Sequence, residues 1–278
     1  MDKIVVNLIG GVGNQMFQYA LGYVISKKTG FELLLDLSAY NDYKTRNFEL
    51  SNFSFDYKVA NVEDFSELNK KHFLKKTLYK DKKKTFDSSV LKIKNSAYLK
   101  GFWQSEKYFL DYRCDILKLF EFKDKNFIKN IELFSDVQNS NSVSINLRLG
   151  DYVTNEVNRR VHFVCKKEYY ANALKYIAQK VDSPKFFVFS DDLEAAKEYL
   201  PDGYDYIFAD TANWQEDMYF MSQAKHNIVA NSSFSWWAAW LNQNPDKIVV
   251  APSKWFRDEA RINDKDFVPK SWVKVSVN

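Results

Sequence analysis

Ile4 to Ile9 form an apolar, largely β-branched run that stops at Gly10-Gly11-Val12-Gly13, a pattern that predicts a buried strand entering a tight turn. From Gln15 onward, Met16, Phe17, Ala20, Leu21, Val24 and Ile25 recur at helical spacing, with Lys27 and Lys28 suited to the last turn and Gly30 to the C-terminal cap. Phe31 to Leu35 reads as a second strand. An opening of strand, helix and strand implies parallel pairing with both sheet faces covered. The pattern weakens through the middle. It resumes with Val143 to Leu147, Lys185 to Ser190, Asp205 to Ala209, Asn227 to Ala230 and Lys247 to Ala251 as strands. Helical stretches such as Tyr169 to Val181 and Phe234 to Asn242 separate them, which gives a doubly wound alternation. Between Phe134 and Ser142 the segment FSDVQNSNS lacks apolar periodicity and collects Ser, Asn and Asp, so a linker is expected there. The predicted organisation is α/β, with two domains at residues 1–138 and 139–278.

Composition refines this picture. At 278 residues and 46% hydrophobic content, the chain is long enough for one large domain or two ordinary ones with well-buried cores. All five prolines and six of the seven tryptophans fall at or after Pro184, in keeping with two halves of different duty. The 40 basic residues nearly balance the 36 acidic ones, leaving +4, so no nucleic-acid partner is implied. Cys114 and Cys165 can build no disulfide framework and lie in no metal-ligand spacing, which fits a reducing cytoplasm. The N-terminal apolar run is short and broken by glycines, so neither a secretion signal nor a membrane-spanning helix is expected.

Three segments carry candidate chemistry. Gly10, Gly11 and Gly13 lie between strand and helix, where backbone room is needed. Neither a dinucleotide fingerprint nor a P-loop is complete: Met16 stands at the third glycine position counted from Gly11, and no Gly-Lys-Ser/Thr follows. What remains is a turn bringing backbone N–H groups and the Asn14 and Gln15 amides to a helix N-terminus, or simply a tight connection. In SINLRLGDYV, Ser144 to Val153, a buried run ends at Arg148 and passes into Gly150-Asp151. Arginine there needs an anion, either a pyrophosphate gripped by its planar donors or Asp151 in an internal ion pair. NIVANSSFSWWAAWLN leads a strand into an aromatic helix with Asn231, Ser232, Ser233 and Ser235 at the junction, a neutral phosphate cradle or a serine N-cap. Elsewhere, Asp264-Lys265-Asp266 reads as a solvated loop and not as a metal site. Lys70 to Lys84 reads as a solvated helix face, with contact to an anionic membrane as the alternative.

Taken in order, GGVGNQMFQYA, the Arg-x-Gly-Asp-Tyr core of NLRLGDYV, FSDD and DMYFMSQAKHNIVANSSFSWWAAWLN closely resemble the bacterial alpha-1,2-fucosyltransferases of glycosyltransferase family 11. The resemblance spans most of the chain. It implies a GT-B architecture of two Rossmann-like domains facing across a cleft, acceptor on the N-terminal side and donor on the C-terminal side. It further implies inverting transfer of L-fucose from GDP-β-L-fucose to the 2-hydroxyl of a terminal galactose, with no metal or other cofactor. Arg148 matches the arginine that holds the donor β-phosphate. Gly11, Gly13 and Asn14 match the glycine-turn motif beside donor phosphate and acceptor. Ser232, Ser233 and Ser235, following Asn231, match the hydroxyl-rich phosphate turn, and Asp191 of FSDD matches a carboxylate near the guanosine end.

The catalytic set implied is Arg148 and Asn14, with Asp151 first and Glu156 second as general base. A role for Asp151 in orienting Arg148 is the structural alternative. Two positions depart from the family's His-x-Arg-Arg-Gly-Asp pattern: Asn146 replaces the histidine and Leu149 the second arginine, which bears on acceptor choice. His162 matches a histidine further downstream. The expected partners are GDP-fucose and a galactose-terminated oligosaccharide or lipid-linked glycan, in surface polysaccharide or O-antigen synthesis, with the protein cytoplasmic or peripheral at the inner membrane face. The alternatives are transfer of another GDP-sugar or to another linkage, and a non-catalytic glycan- or nucleotide-binding protein.

Overall fold

The computed structural model describes every residue except 1, 43–45, 71–75, 82–83, 151–155, 258–261 and 278. The chain forms two compact units, Met1–Lys123 with Lys265–Phe267, and Asp124–Asp264 with Val268–Asn278. The division therefore falls at Lys123, ahead of the linker expected at 134–142.

In the first unit, β1 (Lys3–Asn7) and β2 (Glu32–Asp36) pair in parallel, with Asn7 opposite Asp36. Between them α1 (Val12–Thr29) starts within the glycine turn itself, not at Gln15, and Gly30 closes it at φ 74°, as its N–H bonds to Ser26 O at 2.8 Å. A Cβ at Gly22 would lie 2.5 Å from Val6 Cγ2 and 2.9 Å from Leu33 Cδ1. The close helix–sheet packing that the third glycine of a dinucleotide fingerprint permits is thus supplied further along the helix. Two short helices, α2 (Val62–Ser66) and α3 (Arg113–Leu119), flank β3 (Leu78–Lys80) and β4 (Ala97–Lys100) in sequence, and the parallel sheet has the order β2-β1-β4-β3. Ile4, Val5, Val6, Met16, Ala20 and Leu21 are wholly buried, as a strand with both faces covered requires.

The second unit opens with α4 (Ile131–Asn139), which occupies most of the segment expected to be a linker. The side chain of Asn130 caps it by accepting the Leu133 N–H at 3.0 Å. Leu133 and Val137 are buried, and Phe134 stacks on Phe220 with centroids 5.1 Å apart. Ser135, Asp136 and Asn139 lie on the outer face of this amphipathic helix, which is too short for its period to stand out. There follow β5 (Ser142–Leu147), α5 (Glu156–Val161), α6 (Lys167–Ala178), β6 (Lys185–Ser190), α7 (Leu193–Tyr199) and β7 (Tyr206–Phe208). The chain then adds α8 (Trp214–Gln223), β8 (His226–Ile228), α9 (Ser233–Leu241), β9 (Val249–Pro252) and β10 (Val273–Val275).

All six strands are parallel, in the order β10-β9-β8-β5-β6-β7. From β5 the chain runs outward through β6 and β7, returns to the far side of β5, and continues through β8 and β9. This is the strand order of dinucleotide-binding folds. Val143, Ile145 and Leu147 pack with Tyr169, Leu174 and Ile177 of α6. Trp236, Trp237 and Trp240 of α9 are buried as core.

Candidate active site

The strand order of the second unit reverses at β5, which lies between β6 and β8. Open parallel sheets bind ligands beyond the carboxyl ends of their strands at such a reversal. Register places Leu147 of β5 opposite Ser190 of β6, so Arg148 and Asp191 leave the sheet side by side. Arg148 Nη1 lies 2.9 Å from Asp191 Oδ2, and each side chain is 25% exposed. The Leu149 N–H donates to the other oxygen, Asp191 Oδ1, at 2.9 Å. A Cβ at Gly150 would sit 2.5 Å from Asp191 Oδ2, so glycine is needed for the carboxylate to come this close. Arg148 thus has Asp191 as its internal partner. Asp151, the partner considered from sequence, lies outside the described residues. A guanidinium at a strand end, aimed by a fixed carboxylate and open to solvent on one side, suits a diphosphate.

The two departures from the family pattern have separate outcomes. Leu149 is buried in the core beneath the site, where an arginine would have no place. Asn146 is buried too, with its amide donating to Phe189 O at 3.3 Å and its Oδ1 left without a partner among the described residues.

Beyond β8, the proposed phosphate turn proves largely self-satisfied. Asn231 is buried, and its amide nitrogen donates to Phe163 O at 3.0 Å and Trp255 O at 3.1 Å, which makes it a bracket between loops. Ser232 is the N-cap of α9, accepting the Phe234 N–H at 3.3 Å. Ser235 is buried and donates back to Ala230 O and Ser232 O, both at 3.3 Å. Ser233, partly exposed in the first turn, makes no side-chain hydrogen bond among the described residues. Of the three hydroxyls it is the one best placed for an incoming anion.

One group of this unit escaped the sequence reading. Asp217, in the first turn of α8, has its carboxyl pushed up to about 6 by burial and by the negative charges of Glu216 and Asp191, against a hydrogen bond from Thr211. The Thr211 hydroxyl donates to Asp217 Oδ1 at 2.5 Å. A buried acid within electrostatic reach of Asp191 belongs to the same strand-end region. Its signal was present in the motif DMYFMSQAKHN, where an aspartate precedes the apolar run Met218 to Met221.

In the first unit the reversal falls between β1 and β4. Gly10 adopts φ 81°, and Asn14 stands partly exposed in the first turn of α1. Gln15, expected beside it at the helix mouth, is instead wholly buried. Its amide donates to Gly10 O at 3.0 Å and Asn47 O at 2.8 Å and accepts the Glu49 N–H at 2.9 Å. Gln18 is a second bracket, accepting from Ile9 N–H at 3.0 Å and donating to Gly101 O at 3.1 Å. Gln104, from the loop after β4, donates to Asn14 Oδ1 at 2.8 Å. At the end of β2, burial alone would raise the Asp36 carboxyl, but hydrogen bonds from Tyr98, Ser38 and Asn7 outweigh it and hold the group below its ordinary range.

Glu156 is exposed and paired with Arg160 one helical turn on, an ordinary surface pair. Arg257 Nε donates to His162 O at 2.9 Å, and the His162 ring packs against Phe256. The expected solvated loop at Asp264-Lys265-Asp266 is corrected: Asp266 is buried, pairs with Lys107 and accepts the Phe86 N–H at 3.0 Å, while Asp264 accepts the Trp255 N–H at 2.7 Å. Among the described residues no group of three or more His, Cys, Asp or Glu is arranged to hold a metal ion. In the Lys70 to Lys84 stretch, 71–75 and 82–83 lie outside the described residues, and Leu78–Lys80 is strand, not helix face. Lys84 is tied to Asp81 at 3.8 Å and lies over the Phe102 ring.

The chain is thus made of two Rossmann-like α/β units, one with an arginine–carboxylate pair where its strand order reverses. Residues 2–276 match glycosyl transferase family 11, and the chain belongs to that family. It is 34% identical to an alpha-1,2-colitosyltransferase of Escherichia coli, over 99% of both chains. It is 31% identical to the O-antigen biosynthesis glycosyltransferase WbnK of Escherichia coli, over 96% of this chain and 99% of that one. Among solved structures, NodZ alpha-1,6-fucosyltransferase co-crystallized with GDP superposes with a TM-score of 0.50 at 12% identity, covering 85% of this chain and 91% of that one. The last likeness bears on the fold.

Proposed function

We propose that this glycosyltransferase moves L-fucose from GDP-β-L-fucose to the 2-hydroxyl of a terminal galactose, with inversion, during surface polysaccharide or O-antigen synthesis. The observation that carries the reading is the Arg148–Asp191 pair at the carboxyl end of β5, inside a family of glycosyl transferases. In one displacement, the acceptor oxygen bonds to the anomeric carbon as the bond from that carbon to the diphosphate breaks. Negative charge then grows on the departing GDP, and Arg148, fixed beforehand by Asp191, stabilises it together with Ser233 and the first N–H groups of α9. No metal or other cofactor takes part in this scheme. The acceptor hydroxyl gives its proton to a general base, a role assigned to Asp151, since Glu156 sits in an exposed surface pair. Asp217 and Asp191 line the guanosine side.

The relative that is 34% identical favours a second reading, in which the sugar is colitose, which is L-fucose without its 3-hydroxyl. Acceptor and site chemistry are the same in both. The protein works at the cytoplasmic side, where a lipid-linked glycan acceptor is reached through peripheral contact with anionic lipid. No helix among the described residues is long and apolar enough to cross a membrane. Incubation with GDP-fucose or GDP-colitose and a panel of galactosyl disaccharides, with the product mass and linkage read by NMR, decides between the donors. Turnover with neither donor on any galactosyl acceptor, despite GDP binding, would favour a non-catalytic binding protein.

A further inference from the structure

At the reversal of the second sheet the two strand ladders of β5 end at different heights. Pairing with β8 stops at Ile145 opposite Ile228, whereas pairing with β6 runs on to Leu147 opposite Ser190. The chain segments that leave the shorter ladder carry Arg148 on one side and Ser233 on the other. An opening of this kind suits a ligand, but backbone carbonyls beyond the last rung lose a strand partner, and buried carbonyls must then be satisfied by other donors.

Two adjacent tyrosines in the first turn of α6 supply those donors. The Tyr170 hydroxyl donates to Asn146 O, one residue past the ladder on β5, at 3.2 Å. The Tyr169 hydroxyl donates to Val229 O, one residue past it on the β8 side, at 2.5 Å, and Val250 O of β9 lies 3.3 Å from the same hydroxyl. Neighbouring helix positions point about 100° apart, which lets one turn serve both sides of the opening. Packing alone does not call for hydroxyls here. β6 fills the core of the same unit with Phe186, Phe187 and Phe189, while Tyr169 and Tyr170 are 0% and 1% exposed. A hydroxyl at such depth is unfavourable unless it is hydrogen-bonded. Burial pushes both phenols well above their ordinary range, so each remains a donor at neutral pH.

We propose that Tyr169 and Tyr170 are positioning residues for the nucleotide diphosphate. Tyr170 fixes the end of β5 from which Arg148 projects, and Tyr169 fixes the segment that runs from β8 into the Ser232–Ser233 turn. The proposal rests on the reading of Arg148 and Ser233 as diphosphate ligands. A misplacement of about 1 Å is enough to forfeit much of what an oriented group contributes, so the two hydroxyls act on the ligand without touching it.

The test uses Tyr170→Phe and Tyr169→Phe, which keep the rings, in two double-mutant cycles, the first with Arg148→Ala and the second with Ser233→Ala. GDP affinity is measured by calorimetry and melting is recorded for every protein. Each phenylalanine variant is expected to weaken GDP binding about threefold to tenfold, the size of one hydrogen bond. The Tyr170→Phe effect should shrink to less than about twofold once residue 148 is alanine, and the Tyr169→Phe effect likewise once residue 233 is alanine. If one phenylalanine variant does not fold, the cycle of the other decides. Lowered melting with native GDP affinity in the phenylalanine variants, or effects equally large in both backgrounds, overturns the positioning role while leaving Arg148 a ligand. Native GDP affinity in folded Arg148→Ala overturns the diphosphate reading and the tyrosine proposal with it.

Discussion

Beyond the first strand of each sheet the two units place polar side chains of different kinds. After β1 come three neutral amides, Asn14, Gln15 and Gln18; after β5 comes a guanidinium, Arg148, set against Asp191. Gln15 and Gln18 are wholly buried and bonded to backbone groups, whereas the Arg148 side chain keeps 25% of its surface exposed. The contrast follows from desolvation. A neutral amide can be buried once its hydrogen bonds are made, but a full charge resists burial and stays at the rim even when paired. Side chains of the first turn therefore mainly build the fold, with Asn14 as the exception, while the second unit holds its charge where a ligand can reach it.

That contrast can be broken by separating activity from stability. Arg148→Ala should lower turnover by about 10²-fold to 10³-fold, the usual cost of one charge-stabilising donor, while melting moves little. Kinetics beside a thermal melt checks this, and unfolding of the variant would erase the distinction. Gln15→Ala should do the reverse. It leaves Gly10 O, Asn47 O and the Glu49 N–H without their partner, so urea unfolding should show a loss of about 2–4 kcal/mol while the folded fraction keeps its turnover.

A pH series sharpens the comparison within the second unit. The Asp217 carboxyl titrates near 6 in the folded chain, above its unfolded value of 3.8, so folding binds a proton. Its contribution is most favourable below about pH 4 and is lost as pH rises through 6. Asp217→Asn should remove that slope and stabilise the chain at pH 7 by on the order of 2 kcal/mol, read from melts across pH 4 to 8; equal slopes in the two proteins would refute the assignment. The smallest effect is expected from Gly150→Ala, which pushes on Asp191 Oδ2 and disturbs the aim of Arg148. A loss of turnover of about fivefold is predicted, and full activity would show that the carboxylate moves aside freely.

Much of this arrangement could be read from the chain, because strong local patterns carried it. The apolar run before the glycines, the helical spacing after them, and the strands from Val143 to Ala251 all appear where the pattern placed them, within a few residues. What was not legible depends on long-range register or on elements too short to show a period. Asp191 is remote from Arg148 in sequence and becomes its neighbour only because β5 and β6 run parallel with Leu147 opposite Ser190. Gln15 reads as a polar residue at a helix mouth until the segment at 47–49 folds over it. The strands β3 and β10 have three residues each, below the length at which alternation can be recognised. Gln104 has no motif of its own, and its partner follows from the adjacency of β1 and β4.

The central claim is that Arg148, aimed by Asp191, holds the diphosphate of the donor. Titration of GDP into the native protein and into folded Arg148→Ala, followed by calorimetry, tests it most directly. One site per native chain, weakened by about thirtyfold or more in the variant, is the predicted result; equal affinity in the two proteins would contradict it.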